Sequence, residues 1–490
     1  MFNCPYVGPY EGYVSLPFLI VWRNTMRALV YRNAFFGSLA VAALYRLARR
    51  LFALRSVALM AALLLANAAW FVAACRFGVF NSVVAMAIGL LAFADFSEWL
   101  DDENHWAAVR AFAWLGLGSC TSACFWGILS GLAVCALVYR GRVSAAWERA
   151  RSKRRGFTIF CAASFLIWTV PMLIANMTGW MTVGFFLSCF QRHGPDSLFN
   201  GAALASRFWG RLWQLRGIET ASDWIGILAG RPSGVANPIL GAPTALIAGV
   251  LALEAVASYF SESRRANKIL AVLLLIIATY VIMSLFSPDD FLTSHLYLIM
   301  PLFYLCAAAL PCYLPGPKGR PLAWLLTTAL LIASAIQSRA VLDDLRRGLE
   351  QTAGVGVESS SAVLDLTEWL KNRPSEKPVL LEWRNFANNV LYFGGGVVDP
   401  ISIGWDEASR DFFPNSPNSD VLADILHAQP TALFIAAYCH APCAPDAQGK
   451  SVLPAFREHV RKMGRKASLV KSFLSRDGQV VFEAYHVSVR

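Results

Sequence analysis

The chain lacks the patterns that mark most energy-coupled or soluble catalytic proteins. Its 490 residues contain no complete phosphate loop, no G-x-G-x-x-G fingerprint, no zincin motif and no nucleophile elbow. Those absences argue against an ATP-driven pump. Charged residues make up only 15% of the chain, few sit in the middle of an apolar run, and no internal repeat is evident. A secondary transporter is expected to show mid-membrane charges or helix breakers, often with paired repeats. Met1–Tyr13 has neither a basic n-region nor an apolar h-region, so it is not a signal peptide.

What the chain does have is apolar length. About 20 apolar residues cross a hydrocarbon core. The pattern predicts ten spans, near 34–47, 56–75, 80–95, 106–117, 122–139, 157–177, 237–260, 269–287, 293–313 and 321–338. The segment 14–22 is too short to span and is expected to lie in the interface. Basic residues mark the cytoplasmic side. They gather at Arg46–Arg55, Arg140–Arg155, Arg264–Lys268 and Lys318–Arg320, each after an odd-numbered span. The intervening turns 76–79, 118–121 and 288–292 hold one basic residue, Arg76. The amino end, the long loop 178–236 and everything after 339 are therefore expected outside. An outside start without a signal sequence leaves two expectations: the amino end is translocated unaided, or, the favoured reading, a preceding helix lies upstream of Met1.

The formal charge of +11 belongs to the membrane loops: up to residue 339 there are 27 Lys and Arg against 14 Asp and Glu, and beyond it 16 against 18. Orientation and anionic lipid account for it, and no nucleic-acid partner is called for. Trp22, Trp70, Trp106, Trp180 and Tyr259 near span ends read as interface anchors.

The chain thus reads as a polytopic α-helical membrane protein, with a membrane domain over 1–339 and a small exterior α/β domain over 340–490. In the tail, a helix is expected over 362–371. Strands are expected over 378–383, 431–437, 467–473 and 479–487, with helices over 420–428 and 452–463 between them. Gly394–Gly396 reads as a tight turn. Cys439 and Cys443 form a C-x3-C pair with one histidine, short of a structural zinc site. A loop disulfide, free thiols and a metal remain alternatives there, the disulfide being favoured by an oxidising exterior.

The segment Pro5-Tyr-Val-Gly-Pro-Tyr-Glu-Gly-Tyr-Val-Ser-Leu-Pro17, then Tyr45-Arg-Leu-Ala-Arg-Arg-Leu-Phe52, then a helix ending Phe71-Val-Ala-Ala-Cys-Arg-Phe-Gly78, follow one another in an order that resembles the GT-C class membrane glycosyltransferases. The resemblance is to the family 39-like group of dolichyl-phosphate-mannose-type and aminoarabinose-type transferases. It implies transfer of a sugar from a polyprenyl-phosphate donor to a lipid or glycan acceptor on the periplasmic face of a bacterial inner membrane. Members carry an acidic motif in the first outer loop, which would lie before Met1 here. Gly78 also stands where relatives often have an acid. The resemblance therefore implies weak or no transfer by these 490 residues alone.

Such a site needs a carboxylate to take the acceptor proton and cations to hold the donor phosphate. The exterior candidates are few. Glu11, Asp289 and Asp290 are the candidate catalytic acids. Arg76, Tyr10, Arg192, His193 and His295 are the candidate donor-binding residues, with Asp196 beside the His193 turn. No metal ligand set is assigned, and a divalent metal stays open. A non-catalytic scaffold and a lipid or solute transporter are the competing readings.

If the tail is exterior, Cys439 and Cys443 are oxidised to a disulfide. Unreduced peptide mass spectrometry should find the pair two hydrogens light, and free thiols on protein recovered from the membrane would refute it.

Overall fold

The computed structural model describes residues 10–22, 25–76, 82–121, 124–177, 200–218, 264–286, 293–314, 318–352, 361–373, 377–382, 398, 401–406, 411–413, 424–425, 432–437, 453–476 and 478–489. The chain divides into two compact units, with the division between Ala340 and Val341.

The first unit is helical: α1 Tyr10–Trp22, α2 Thr25–Phe52, α3 Arg55–Asn67, α4 Ala69–Arg76, α5 Ser82–Asp102, α6 His105–Ser119, α7 Phe125–Val138, α8 Arg140–Lys153, α9 Phe157–Met177, α10 Gly201–Ile218 and α11 Arg264–Leu285. Short helices at Thr293–Leu296, Met300–Ala308 and Leu310–Tyr313 follow, then Gly319–Thr352. Among the described residues, four helices are long and apolar enough to cross a membrane, and up to six if two bent pairs each count as one span. The segment 14–22 is part of α1, and the expected first span is the middle of α2. At 1.5 Å per residue α2 is about 42 Å long, more than a hydrocarbon core, so its polar ends can both emerge. The expected span 56–75 is broken at Ala68 into α3 and α4, which meet at 61°. The expected span 237–260 lies outside the described residues.

Small residues let these helices approach. A Cβ on Gly116 of α6 would overlap the Phe165 carbonyl of α9, and one on Gly37 of α2 would overlap the Cys75 sulfur of α4. Lipid offers no hydrophobic drive between helices, so close packing of this kind has to supply it.

One end of the unit is tied by charge. The α5 terminus and the turn after it carry Asp95, Glu98, Asp101, Asp102 and Glu103. Asp95 is 1% exposed and receives Arg46 of α2 at 2.7 Å and Arg110 of α6 at 3.0 Å. The Trp114 indole also donates to it, at 3.0 Å. Glu98 pairs with Arg46 at 2.6 Å and Arg50 at 3.0 Å. From α8, which turns 91° away from α7, Arg142 reaches Asp101 and both Arg149 and Lys153 reach Glu103. The Lys153 ammonium, hydrogen-bonded to Glu103, holds that carboxyl below its ordinary range.

Trp70 does not sit at an interface as expected. It is fully buried, its indole donating to the Tyr304 hydroxyl at 2.9 Å and its ring 4.5 Å from Tyr297. Trp106 is 47% exposed, as an interface anchor should be, and carries the Arg154 guanidinium 3.9 Å above its ring.

The second unit holds a six-stranded sheet, β1 Val379–Glu382, β2 Ile401–Asp406, β3 Asp411–Phe413, β4 Ala432–Ala437, β5 Arg465–Leu474 and β6 Val480–Val489, in the order β3-β2-β1-β4-β6-β5. β1 is parallel to β2 and β4, while β4–β6 and β5–β6 are antiparallel. Both faces of its centre are covered. Leu380, Leu433 and Ile435 pack on the helix Ala362–Lys371, and Val379, Leu381, Phe434 and Ala436 pack with the helix Leu453–Lys462. Double burial explains why β1 and β4 read as unbroken apolar runs. β2 and β3 are additions to the expected strands. Gly394–Gly396, Cys439 and Cys443 lie outside the described residues, as does most of 420–428.

Two measurements follow. Asp95→Ala should lower stability by about 2 kcal/mol, less than a fully buried pair because Arg46 and Arg110 stay more than a third exposed. Detergent melting indistinguishable from the parent would show that the clamp does not hold these helices. If the acid-rich end is cytoplasmic, a membrane-impermeant maleimide should label Ala202→Cys in intact cells but Ala145→Cys only after permeabilisation. The reverse pattern would invert the topology.

Candidate functional site

The direction of each helix sorts the remaining polar groups. α2 and α5 both end at the acid-rich network, so their beginnings lie at the opposite end, where α4 also finishes. α6 starts at the network and leaves it. α7 starts opposite and returns to α8. α11 packs antiparallel to α7, as Gly127 lies against Tyr280 and Cys135 donates to the Val272 carbonyl. Tyr280 therefore belongs to the end opposite the network. Two polar clusters stand there.

The first joins α1, α2 and α4. Arg32 is fully buried, and its Nη1 donates to Ser15 Oγ at 2.7 Å. Its Nε and Nη2 both donate to Asn33 Oδ1, at 3.0 and 2.9 Å. Asn33 Nδ2 donates in turn to the Ala74 carbonyl at 3.3 Å. That carbonyl is among the last four of α4, which have no partner within their own helix. Asn33 supplies the missing donor. Two residues further on, Arg76 ends α4 and is exposed.

The second cluster repeats the device. The last turn of α11 offers carbonyls that the helix cannot use. Arg207 of α10 donates to Leu285 O at 3.1 Å, and Arg211 to Ser284 O at 3.4 Å. Arg211 is buried and also donates to Gln214 at 3.1 Å. α10 packs on the short helix that bears His295. The Tyr280 hydroxyl donates to the His295 carbonyl at 2.6 Å.

Of the sequence candidates, Arg76 and His295 are both at this end, on α4 and on Thr293–Leu296. Tyr10 and Glu11 occupy the first turn of α1, and their side chains lie outside the described residues. Asp289, Asp290, Arg192, His193 and Asp196 lie outside them altogether. Among the described residues no group of three or more His, Cys, Asp or Glu could hold a metal. Arg32, Asn33, Arg207 and Arg211 are not among the residues that the sequence pattern marks. The available signal was a basic residue next to an amide, Arg32-Asn33, between two apolar stretches.

No family model matches the chain, and no curated protein matches it. Among solved structures, the crystal structure of ArnT from Cupriavidus metallidurans in the apo state superposes with a TM-score of 0.55 at 11% identity, over 98% of this chain and 87% of that one. The cryo-EM structure of the arabinofuranosyltransferase AftD from Mycobacteria aligns with a TM-score of 0.43 at 15% identity, over 94% of this chain and 33% of that one. The likeness to ArnT is one of fold: this chain is a mostly helical protein with apolar helices long enough to cross a membrane and a small carboxy-terminal sheet, and its fold is similar to that of ArnT.

Proposed function

We propose that the protein transfers a sugar from a polyprenyl-phosphate donor to a lipid or glycan hydroxyl at the exterior face of a bacterial cell membrane. The observation that carries this reading is the pairing of a GT-C fold with a cation-lined end opposite the acid-rich one. That end holds Arg76, exposed and able to meet a phosphate at the interface, and also Arg211 and His295, on two elements that pack against each other. A phosphate in a low-dielectric boundary is best held by such charge-assisted bonds.

The chemistry is a displacement at the anomeric carbon. The acceptor oxygen forms the new bond to C1, the bond from C1 to the phosphate oxygen breaks, and polyprenyl phosphate leaves with the electron pair. The acceptor proton goes to a carboxylate. Glu11 on α1 is the proposed base, with Asp289 or Asp290 as the alternative, and the sheet-bearing tail from 340 onwards is the proposed exterior domain.

The reading is tested on the full chain in nanodiscs. Polyprenyl phosphate should bind well above the matching neutral polyprenol, and Arg76→Ala should weaken it by about tenfold, the worth of one charge-assisted hydrogen bond. The resemblance leads to weak transfer by these 490 residues, so release of polyprenyl phosphate from a labelled polyprenyl-phosphate sugar in the presence of an acceptor should be slow, and full-rate release would make Glu11 or Asp289 the base. Equal affinity for phosphate and alcohol would refute the assignment.

A further inference from the structure

The buried Arg32 cluster lies deeper than the exposed Arg76 and joins three helices, which asks for a role other than holding substrate. A buried guanidinium is costly unless its donors are used. Arg32 uses its planar fork on two directions at once, Ser15 of α1 and Asn33 of its own helix. Asn33 continues the chain of bonds to the Ala74 carbonyl, two residues before Arg76. Lysine, a point charge, could not span both directions.

The cluster matters because of what α1 carries. Ser15 and Glu11 are four residues apart on α1, on one helical row. α1 is also only 13 residues long and contains Pro17, so its own hydrogen bonding is interrupted within two turns of Glu11. Its partner is α2, where Phe18 packs on Phe35 at 5.8 Å and Trp22 stacks on Tyr31 at 4.6 Å. Those ring contacts are non-directional along the helix axis. The hydrogen bond that Ser15 Oγ accepts from Arg32 is directional, and it sets the height.

We propose that Arg32 is a positioning residue. Through Ser15 and Asn33 it fixes the turn of α1 that bears Glu11 at a set height against the end of α4 that bears Arg76. The inference rests on the transferase reading for its catalytic consequence, but its mechanical content does not. Donor phosphate and acceptor base are thereby registered by one rigid group that touches neither substrate.

The test uses the full chain in nanodiscs. Ser15→Ala and Arg32→Gln should leave polyprenyl phosphate affinity within about twofold of the parent. Transfer should fall at least about tenfold in kcat, since a misplacement near 1 Å costs that much or more. Arg76→Ala should show the opposite split. Arg32→Lys should recover less than half of the lost rate. Independently of any sugar chemistry, spin labels at Val21→Cys on α1 and Leu59→Cys on α3, both exposed, report the placement of α1. Their distance distribution should broaden in Arg32→Gln and in the milder Ser15→Ala. An unchanged distribution in both overturns the proposal. A tenfold loss of phosphate affinity in Arg32→Gln also overturns it, because Arg32 would then be a donor ligand. A parent that neither binds the donor nor transfers sugar defeats the transferase reading alone, and the spin-label distances still decide the role of Arg32.

Discussion

Asp95 is the constraint around which the membrane unit is arranged. A carboxylate with 1% exposure near the end of a long apolar helix must be matched by cations, and it is matched from both sides, by Arg46 of α2 and Arg110 of α6. That requirement brings the ends of α2, α5 and α6 to one level. Because α2 and α5 are then registered at their final turns, their first turns are registered too, at a distance set by helix rise. The placement of Arg32, fourteen residues before Arg46, follows from it: about 21 Å along the axis. The acid-rich end thus determines where the opposite, cation-lined end can lie.

That opposite end is built by a single device used twice. Helices that stop there leave carbonyls without partners, and a neighbouring helix supplies donors: Asn33 to α4, and Arg207 with Arg211 to α11. Where a helix breaks at membrane depth, such internal satisfaction is obligatory. Cations are therefore gathered first by backbone need. A surface prepared in this way is already suited to an anion.

The architecture was legible where burial leaves a one-dimensional trace. The helix over 362–371 and the strands around 379–382 and 432–437 stood out because both faces of the sheet are covered. β2, Ile401-Ser-Ile-Gly-Trp-Asp406, is interrupted by serine and glycine and gives no run. The break at Ala68 was illegible, since Ala66-Asn-Ala-Ala69 contains neither proline nor glycine. Just past the break, Trp70 packs against Tyr297 and donates to Tyr304, partners distant in sequence. The site was legible only in part. Exposed Arg76 could be found from the scarcity of basic residues in the short turns. Arg32 and Arg211 take their meaning from helices distant in sequence, and Arg32 in particular reads as an ordinary polar residue until α1 and α4 close on it. The acids from Asp95 to Glu103 signal a charged turn, but their partners in α2 and α8 are separated from them by some 50 residues.

The acid–base network also has a consequence for the order of events as the chain is made. If the acid-rich end is cytoplasmic, Arg46, Arg50, Arg142, Arg149 and Lys153 belong to the basic loops that orient their flanking helices during insertion, when acidic residues count for little. In the folded protein each of them is paired with Asp95, Glu98, Asp101, Asp102 or Glu103. On that orientation the same charges serve in succession, first as an address read by the insertion machinery and afterwards as a latch that closes when α8 folds back. An arginine removed from this set would be felt twice, once in biogenesis and once in the finished molecule.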